Sequence, residues 1–239
     1  MKRVKPDRAA ARAARALRLH ADKKKAATHR GFFKNAEKDV FLRVGAPLVR
    51  KLAREFRDMP LSGVEGLMAS QVHDERSLAN AILVLKYRRG GEGEKKRVFD
   101  FYLRRRGLIR NWDGVDDSAP YIVGPHLLER DRSVLFKLAG SRNLWDRRIA
   151  VVSTWWFIRR GDTADTFRLA RRLLGDGEDL IHKAVGWMLR EAGKRDPAAL
   201  RRFLSRHAEA MPRTMLRYAI ERFPERERRG YLAKGGRGT

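Results

Sequence analysis

Frequent helix breakers are the feature that most limits the fold of this chain. Apolar residues between the breakers follow helical spacing, as with Leu78, Ile82 and Leu85, and alternating strand patterns are scarce. Most intervals between breakers are about ten to eighteen residues, the length of short helices. The breakers include Pro47, Pro60, Gly90, Gly107, Pro120, Pro125, Gly140, Gly161, Gly175, Pro197, Pro212 and Pro224. The sequence therefore predicts an all-α protein built from many short helices.

A sequence repeat relates three of these segments. Residues 75–90 align with residues 146–161 at an offset of 71, and a further offset of 35 brings Arg148 onto Lys183. Because 71 is close to twice 35, an intermediate copy is expected near Trp112. A period near 35 with two helices per unit is typical of HEAT-like repeats. We predict a right-handed superhelical solenoid of antiparallel helix pairs with a concave basic groove, and a plain helical bundle is the alternative.

The charge of the chain indicates a polyanionic partner. Lys and Arg number 55 against 29 Asp and Glu, which gives a net charge of +26 in 239 residues. Nucleic acid is the commonest partner of such a chain, ahead of an anionic membrane or an acidic protein. Cysteine is absent, which excludes disulfides, thiolate metal sites and cysteine nucleophiles, and the six histidines show no metal-ligand spacing. No metal site and no cofactor are expected.

The ends of the chain and its apolar runs suggest a cytoplasmic protein. No run reaches the eighteen or so apolar residues of a membrane span, and residues 1–30 lack the apolar core of a secretory signal. We interpret residues 1–30 as a basic helical extension or first helix and residues 31–239 as a single domain. A monomer without an obligate protein partner is expected.

Stacked repeats would place equivalent residues above one another, which predicts a site. One column contains Trp112, Arg148 and Lys183. A second column, one helical turn further along, contains Asp116 and Trp187. Trp112 with Asp116 and Lys183 with Trp187 are i,i+4 pairs, so each pair shares a helix face. The predicted patch contains two indoles, a carboxylate and two cations.

Each of these residues also has a structural interpretation. Asp116 precedes Ala119 and Pro120 closely enough to be a helix N-cap. Arg147 competes with Arg148 for the role of site arginine. Three further tryptophans in an apolar segment are interpreted as core residues: Trp145, Trp155 and Trp156.

At four segments the sequence resembles the AlkD-type DNA alkylation-repair glycosylases. The segments are Phe32-Phe33-Lys34, residues 111–120 around Asn-Trp-Asp, residues 144–150 (Leu-Trp-Asp-Arg-Arg-Ile-Ala) and residues 181–191 from Ile-His-Lys to Arg-Glu. The resemblance runs from about residue 31 to residue 195. It implies a solenoid of HEAT-like repeats that holds DNA in a concave basic groove and excises N3- and N7-alkylated purines.

The same resemblance assigns roles to individual residues. It implies that Asp116 is the catalytic aspartate, Trp112 and Trp187 the site tryptophans, and Arg148 the site arginine. An aromatic residue that lines the groove in some members falls on Phe32, which lacks a phenolic hydroxyl. The candidate DNA-binding residues are Arg147, Arg148, Lys183, Arg190 and Phe32.

These residues fit the chemistry of a cationic leaving group. A purine alkylated at N3 or N7 departs without protonation, so the enzyme has to stabilise the oxocarbenium-like sugar, which a carboxylate at Asp116 does while it positions water. Trp112 and Trp187 attract the cation through their π faces, and Arg148 binds a flanking phosphate. No acid that could protonate a neutral purine is evident, so lesions such as hypoxanthine are expected to be ignored.

The predicted function is therefore that of a monofunctional DNA glycosylase that releases 3-methyladenine and 7-methylguanine from double-stranded DNA. The alternative is a non-catalytic HEAT-like repeat protein that binds distorted or branched DNA or structured RNA. A carboxylate in the middle of the groove favours the enzyme, because it would weaken a pure polyanion binder.

Overall fold

A computed structural model of the chain describes residues 8–22, 31, 33 and 39–234. Within these residues the regular structure is helical, with no β-strand, and an isolated β-bridge joins Val40 to Val72. The prediction of an all-α protein is confirmed.

The α-helices are α1 (Arg8–Arg18), α2 (Ala46–Glu55), α3 (Leu61–Met68), α4 (His73–Arg89), α5 (Glu92–Arg105), α6 (Trp112–Asp116), α7 (Ala119–Leu127), α8 (Ser133–Ala139), α9 (Leu144–Val152), α10 (Trp155–Ile158), α11 (Ala164–Arg172), α12 (Asp179–Arg195), α13 (Pro197–His207), α14 (Arg213–Ala219) and α15 (Glu225–Lys234), with a 3₁₀ turn at Arg106–Leu108.

The chain divides into two compact units. Unit 1 contains residues 1–122 and unit 2 contains residues 123–239, and the boundary falls inside α7. In unit 1, α1 packs against α2, α3 and α4 and buries Leu17 completely, so it contributes to the core of this unit. The domain boundary proposed after residue 30 stays a prediction.

Unit 1 is organised around α4. Leu78, Ala79, Ile82 and Leu83 of this helix are fully buried, and their spacing of three and four residues forms an apolar stripe. Helices α1, α2, α3, α5 and α6 all pack against α4. Its position therefore determines where α6, which carries Trp112 and Asp116, is placed within the unit.

Unit 2 has the same kind of centre in α12. Its buried residues recur at helical spacing: Ile181, Ala184, Val185, Met188 and Leu189. Helices α9, α10, α11, α13 and α14 pack against it. Asp179 in the first turn and Lys194 and Arg195 in the last turn complement the helix dipole. These contacts fix the helix that carries Lys183 and Trp187.

The sequence repeat corresponds to a repeated turn in the structure. The Ser70 hydroxyl accepts a hydrogen bond from the backbone N–H two residues later, and its carbonyl accepts one from Arg76 Nη1 six residues later at 2.9 Å. Ser141 repeats both bonds, with Arg147 Nη1 as the second donor at 3.0 Å. Asp176 repeats the first bond through its carboxylate, and its carbonyl lies 2.5 Å from His182 Nε2. The second turn lies 71 residues after the first, and the third lies 35 residues after the second.

The helices that follow these turns begin at the same offsets. Helices α4, α9 and α12 begin at His73, Leu144 and Asp179. The intermediate copy differs, because its helix α6 begins only at Trp112 and a 3₁₀ turn occupies the preceding residues 106–108. The repeat is thus present in the local structure, with an altered start in the copy that carries Asp116.

Three tryptophans that were predicted to lie in the core are partly exposed instead: Trp145, Trp155 and Trp156. The Arg159 guanidinium lies 4.8 Å from the ring centre of Trp155, and that of Arg160 lies 4.1 Å from Trp156. For Trp155 and Trp156 the arginine follows the tryptophan by one turn and covers a face of the indole. The core interpretation of these tryptophans is wrong.

In the described part of the chain, no helix has the length and apolar content needed to cross a membrane.

Gly186 on α12 permits the close approach of α14, which leads to a stability prediction. A Cβ at this position would lie 2.5 Å from Tyr218 Cβ and 2.6 Å from the carbonyl oxygen of Met215, and backbone cannot move aside cheaply. We expect Gly186→Ala to lower the free energy of unfolding by about 1–3 kcal/mol, as overpacking does. Urea denaturation measures this change.

Gly66 in α3 provides the matched control, because a Cβ there would meet no heavy atom of the described residues within 4 Å. Gly66→Ala should stabilise the protein by up to about 1 kcal/mol through helix propensity. Equal stability changes in the two variants would contradict the packing argument.

Candidate functional site

A buried arginine places the start of α6. Arg76 Nη2 donates to Asp39 Oδ2 at 2.6 Å and to Asn111 Oδ1 at 2.7 Å. The Asn111 amide also donates to Asp39 Oδ2 at 3.3 Å. Asn111 is the residue that immediately precedes α6. This network of charge-assisted bonds therefore fixes the position of Trp112, the first residue of the helix.

Trp112 belongs to an aromatic cluster. It stacks on Phe33 with ring centres 5.4 Å apart and an interplanar angle of 14°. Phe33 is buried and contacts Phe41 and His73, with ring centres 5.2 and 4.8 Å away. Trp112 itself is partly exposed, so its indole is supported from one side and accessible in part. Phe32, the predicted aromatic residue, lies outside the described residues.

Three aspartates lie at or just after α6, and their surroundings differ. Asp113 Oδ2 lies 2.8 Å from His73 Nε2, and its other oxygen accepts a bond from the Gly114 N–H at 2.9 Å. Asp116 is partly exposed and is the last residue of α6. The carbonyl of Ser118 accepts the first bonds of α7, so Ser118 rather than Asp116 occupies the N-cap position. The structure thus places Asp116 inside α6, which removes the N-cap interpretation.

A groove of about 830 Å³ lies in unit 1 between α2, α4 and the α6–α7 segment. Its wall contains Asp113 and Asp117 rather than Trp112 and Asp116, which precede them by one residue. On α4 the wall includes Ser77 and Ala81, which are 71 residues before Arg148 and Val152. The polar residues of the wall are Arg43, Arg50, Arg54, His73, Asp74, Ser77, Arg88, Arg89, Asp113, Asp117 and Tyr121.

The arginines of this wall, which we call the groove arginines, are Arg43, Arg50, Arg54, Arg88 and Arg89. All five are exposed, and among the described residues none has a carboxylate within 4 Å. Arg50 and Arg54 are i,i+4 neighbours on α2 and share one face of that helix. Arg88 and Arg89 lie in the last turn of α4. The groove arginines are therefore available to bind an anion.

Arg43 has a strained backbone that the surrounding structure holds in place. Its φ is +59°, in the left-handed region that favours glycine. The carboxylate of Asp74, which is buried, accepts the N–H of Leu42 at 2.8 Å and the N–H of Val44 at 2.7 Å. Both residues next to Arg43 are thus anchored by one side chain. Strain of this kind, worth about 1–3 kcal/mol, is typical of functional positions.

Asp117 is a carboxyl group of the groove wall whose pKa is raised. Partial burial between the groove walls raises the pKa of its carboxyl from 3.8 to about 6, and repulsion from Asp113 and Asp116 acts in the same direction. Attraction to Arg50 and His73 opposes these effects. The side chain is nevertheless exposed to solvent, and it makes no hydrogen bond or ion pair within the described part of the chain. Asp117 is therefore an accessible carboxyl that changes charge close to neutral pH.

In unit 2 the two candidate arginines differ in their contacts. Arg147 forms two bonds to the Asp176 carboxylate, at 2.6 and 3.3 Å, and donates to the carbonyls of Ser141 and Arg142. Arg148 is 5% exposed and donates to the carbonyl of Leu180, in the first turn of α12, at 2.5 Å. Arg147 is thus bonded to residues of the repeated turns, whereas Arg148 lies between α9 and α12.

The remaining predicted residues of unit 2 lie on α12. Lys183 Nζ is 2.8 Å from Asp179 Oδ2, and the lysine side chain is partly exposed. Trp187, one turn later, is also partly exposed. Arg190 pairs with Glu221 and with Glu191, and less than a fifth of its side chain is accessible. Lys183 and Trp187 are thus accessible together on α12, while Arg190 is engaged with two carboxylates.

Comparisons with known proteins give the family and the fold of the chain. The sequence model of a family described as DNA alkylation repair enzyme matches residues 13–223. The chain belongs to the DNA alkylation repair enzyme family. A solved structure described as a predicted DNA alkylation repair enzyme from Enterococcus faecalis has the same fold, with a TM-score of 0.69 and 16% identity over 86% of this chain and 98% of that chain. No match is found among curated proteins.

In this DNA alkylation repair family member, the structure brings together some of the predicted residues and adds others. Trp112 and Asp116 share α6 in unit 1, while Lys183 and Trp187 share α12 in unit 2. The groove arginines and Asp117 were not predicted. The i,i+4 spacing of Arg50 and Arg54 is a sequence signal for a common face. No local signal relates Arg43 to Arg88, which are 45 residues apart.

The strain at Arg43 predicts an unusual effect on stability. Replacing Arg43 with glycine should raise the free energy of unfolding by about 1 kcal/mol, because relief of left-handed strain outweighs the greater backbone entropy of glycine in the unfolded chain. Arg50→Gly, inside α2, should instead lower it by about 1 kcal/mol. Urea denaturation of both variants measures the difference. If Arg43→Gly destabilised the protein as much as Arg50→Gly does, the strain argument would fail.

Proposed function

We propose that this DNA alkylation repair family member is a monofunctional DNA glycosylase that excises cationic N3- and N7-alkylated purines from double-stranded DNA. The observation that carries the proposal is the arrangement of α6. A partly exposed tryptophan and a partly exposed carboxylate lie one turn apart beside an arginine-lined groove. Phosphates, a cationic base and a cationic sugar are the groups such a surface would recognise.

The architecture that we propose for this function is a HEAT-like solenoid with a concave basic groove. The shared turns at Ser70, Ser141 and Asp176 support it, as do the helix starts at offsets of 71 and 35. Further support comes from the groove of unit 1, because its wall includes Ser77 and Ala81, the repeat equivalents of Trp112 and Asp116. We propose that the protein acts as a cytoplasmic monomer without a metal or cofactor.

The chemical step that we propose depends on Asp116. An N3- or N7-alkylated purine leaves with the electron pair of its bond to C1′, and the sugar develops positive charge. The carboxylate of Asp116 stabilises that charge and positions the attacking water. Trp112, supported by Phe33 at 5.4 Å, presents a π face to the cation. Neutral purines gain little from either group, so cationic lesions are favoured.

The groove arginines hold the DNA backbone in this proposal. Arg50 and Arg54 project from consecutive turns of α2, about 6 Å apart along the helix axis, and each can neutralise a phosphate. The backbone at Arg43 is held in place by the bonds of Asp74 to Leu42 and Val44, which reduces the backbone freedom that is lost on binding. Such contacts are independent of sequence, as repair of rare lesions requires.

Residues of unit 2 complete the assignment. Arg148, fixed by its bond to the Leu180 carbonyl, is proposed to bind a phosphate that flanks the lesion, and Lys183 assists it. Trp187 is the second aromatic face. Arg147 and Arg190 pair with Asp176 and Glu221, and less than a fifth of each side chain is accessible. We therefore assign them smaller roles in DNA binding than Lys183, which is more accessible although it pairs with Asp179.

The proposed function is tested by release of 7-methylguanine from duplex DNA. We expect the wild-type protein to release the base and Asp116→Asn to do so at least about 100-fold more slowly, because the variant loses transition-state stabilisation. DNA affinity should be equal or slightly higher, since one repulsion with phosphate is removed. Chromatography of the released base and a fluorescence binding assay measure the two quantities.

Two other results would change the assignment. Wild-type protein that binds DNA but releases neither 7-methylguanine nor 3-methyladenine would support the non-catalytic alternative. Parallel loss of binding and excision in Asp116→Asn would indicate a structural role for this residue.

The role of the groove arginines is tested by the salt dependence of DNA binding. Replacing both Arg50 and Arg54 with alanine should reduce the slope of log K against log salt by about 2, one for each lost phosphate contact. The control is Lys96→Ala with Arg97→Ala on α5, which removes the same charge from cations that already pair with Asp100 and Glu94 at 2.6 Å. Equal slopes for both double variants would place the DNA elsewhere.

A further inference from the structure

Asp117 is a carboxyl group of the groove to which the proposed reaction assigns no role. It follows Asp116 directly, and the Cα atoms of consecutive residues are about 3.8 Å apart. Asp117 lines the groove, whereas Asp116 ends the helix beside it. The two carboxyl groups are therefore close in the chain, and Asp117 is the one that faces the groove.

The charged and titratable groups that face Asp117 come from four elements. Asp113 and Asp116 lie on α6, His73 on α4 and Arg50 on α2, while Tyr121 of α7 lines the same groove. Asp113 is already bonded to His73 and to the Gly114 N–H, and Asp74 to the N–H groups of Leu42 and Val44. Asp117 differs from both, because within the described residues its oxygens have no such partner.

The protonated form of Asp117 is populated at moderate pH. Partial burial raises its pKa to about 6, and the like charges of Asp113 and Asp116 add to the effect. Close to neutral pH a carboxyl group of this kind exchanges protons readily, which is the property of an effective general acid. The groove volume of about 830 Å³ is within the range of ligand sites that enclose molecules larger than a purine.

We propose that Asp117 is a general acid that extends excision to neutral purines. This inference rests on the proposed glycosylase function, with Asp116 stabilising the sugar cation. It revises the expectation from the sequence that the chain offers no acid for a neutral leaving group.

In the proposed step Asp117 donates one proton and later recovers one. The carboxyl proton of Asp117 passes to N7 or N3 of the neutral purine, the bond between C1′ and N9 breaks, and its electron pair leaves with the base. A water oxygen then bonds to C1′, and a proton of that water passes to the Asp117 carboxylate. The acid is regenerated, and one water molecule is consumed for each base released.

The test compares a neutral and a cationic purine in matched duplexes. Release of hypoxanthine is measured relative to release of 7-methylguanine at pH 5 and pH 7, after subtraction of release without protein. Because a carboxyl of pKa about 6 is about tenfold more protonated at pH 5 than at pH 7, the ratio should rise about tenfold in the wild type. The use of a ratio cancels titration effects that both substrates share.

Variants of Asp117 separate proton donation from other roles. Asp117→Asn keeps the size and polarity of the side chain but cannot donate an acidic proton, so the ratio should fall at least about 100-fold at pH 5 and lose its pH dependence. Asp117→Glu restores an acid and should recover the pH dependence. The matched control is Asp58→Asn, an exposed carboxylate of unit 1 outside the groove, which should leave the ratio as in the wild type.

The outcomes distinguish this inference from the function on which it rests. Absence of 7-methylguanine release by the wild type would overturn the glycosylase function itself. Release of 7-methylguanine without hypoxanthine at pH 5 would overturn the role of Asp117 alone. The role of Asp117 would also be overturned if Asp117→Asn kept the wild-type ratio, or if this variant lost release of both bases equally.

Discussion

A buried guanidinium, Arg76, holds together the parts of unit 1 that form its candidate site. It bonds to the carbonyl of Ser70 before α4, to the carboxylate of Asp39, and to Asn111 before α6. Burial of a charge costs several kcal/mol unless it is paired and hydrogen-bonded throughout. Because Arg76 satisfies this condition only when all three segments are in place, the segment that leads to Arg43 and the start of α6 are positioned together.

The groove of unit 1 carries both positively and negatively charged side chains. The groove arginines have no carboxylate within 4 Å among the described residues, and they form an attractive surface for phosphates. The aspartates at α6 create a local negative potential that suits a cationic base or sugar. Partial burial, together with repulsion from Asp113 and Asp116, raises the pKa of Asp117 to about 6. The proposed function would use both, because DNA with an N3- or N7-alkylated purine is an anionic polymer that carries a cationic lesion.

Several features of the fold follow from the sequence because their causes are local or periodic. The offsets of 71 and 35 predicted where α4, α9 and α12 are equivalent, and the spacing of Trp112 and Asp116 predicted a shared helix. The core interpretation of Trp155 and Trp156 failed, because apolar composition does not show whether an arginine one turn later covers a ring at the surface. The N-cap interpretation of Asp116 failed for a similar reason, since two helix boundaries lie within four residues and only the hydrogen bonds of Ser118 show which residue caps α7.

The sequence by itself determined the helical class, the repeat, the basic net charge and the candidate pair on α6, since these depend on composition, periodicity and i,i+4 spacing. Only the tertiary structure decided which charges are available. It engaged Arg147 with Asp176 and Arg190 with Glu221, whereas the groove arginines have no such pair with any residue that the structure describes. It also gathered Arg50, His73, Asp113 and Asp116 around Asp117. Pairing and desolvation depend on side chains that are tens of residues apart in sequence, so the chemistry of each charged group appears only after folding.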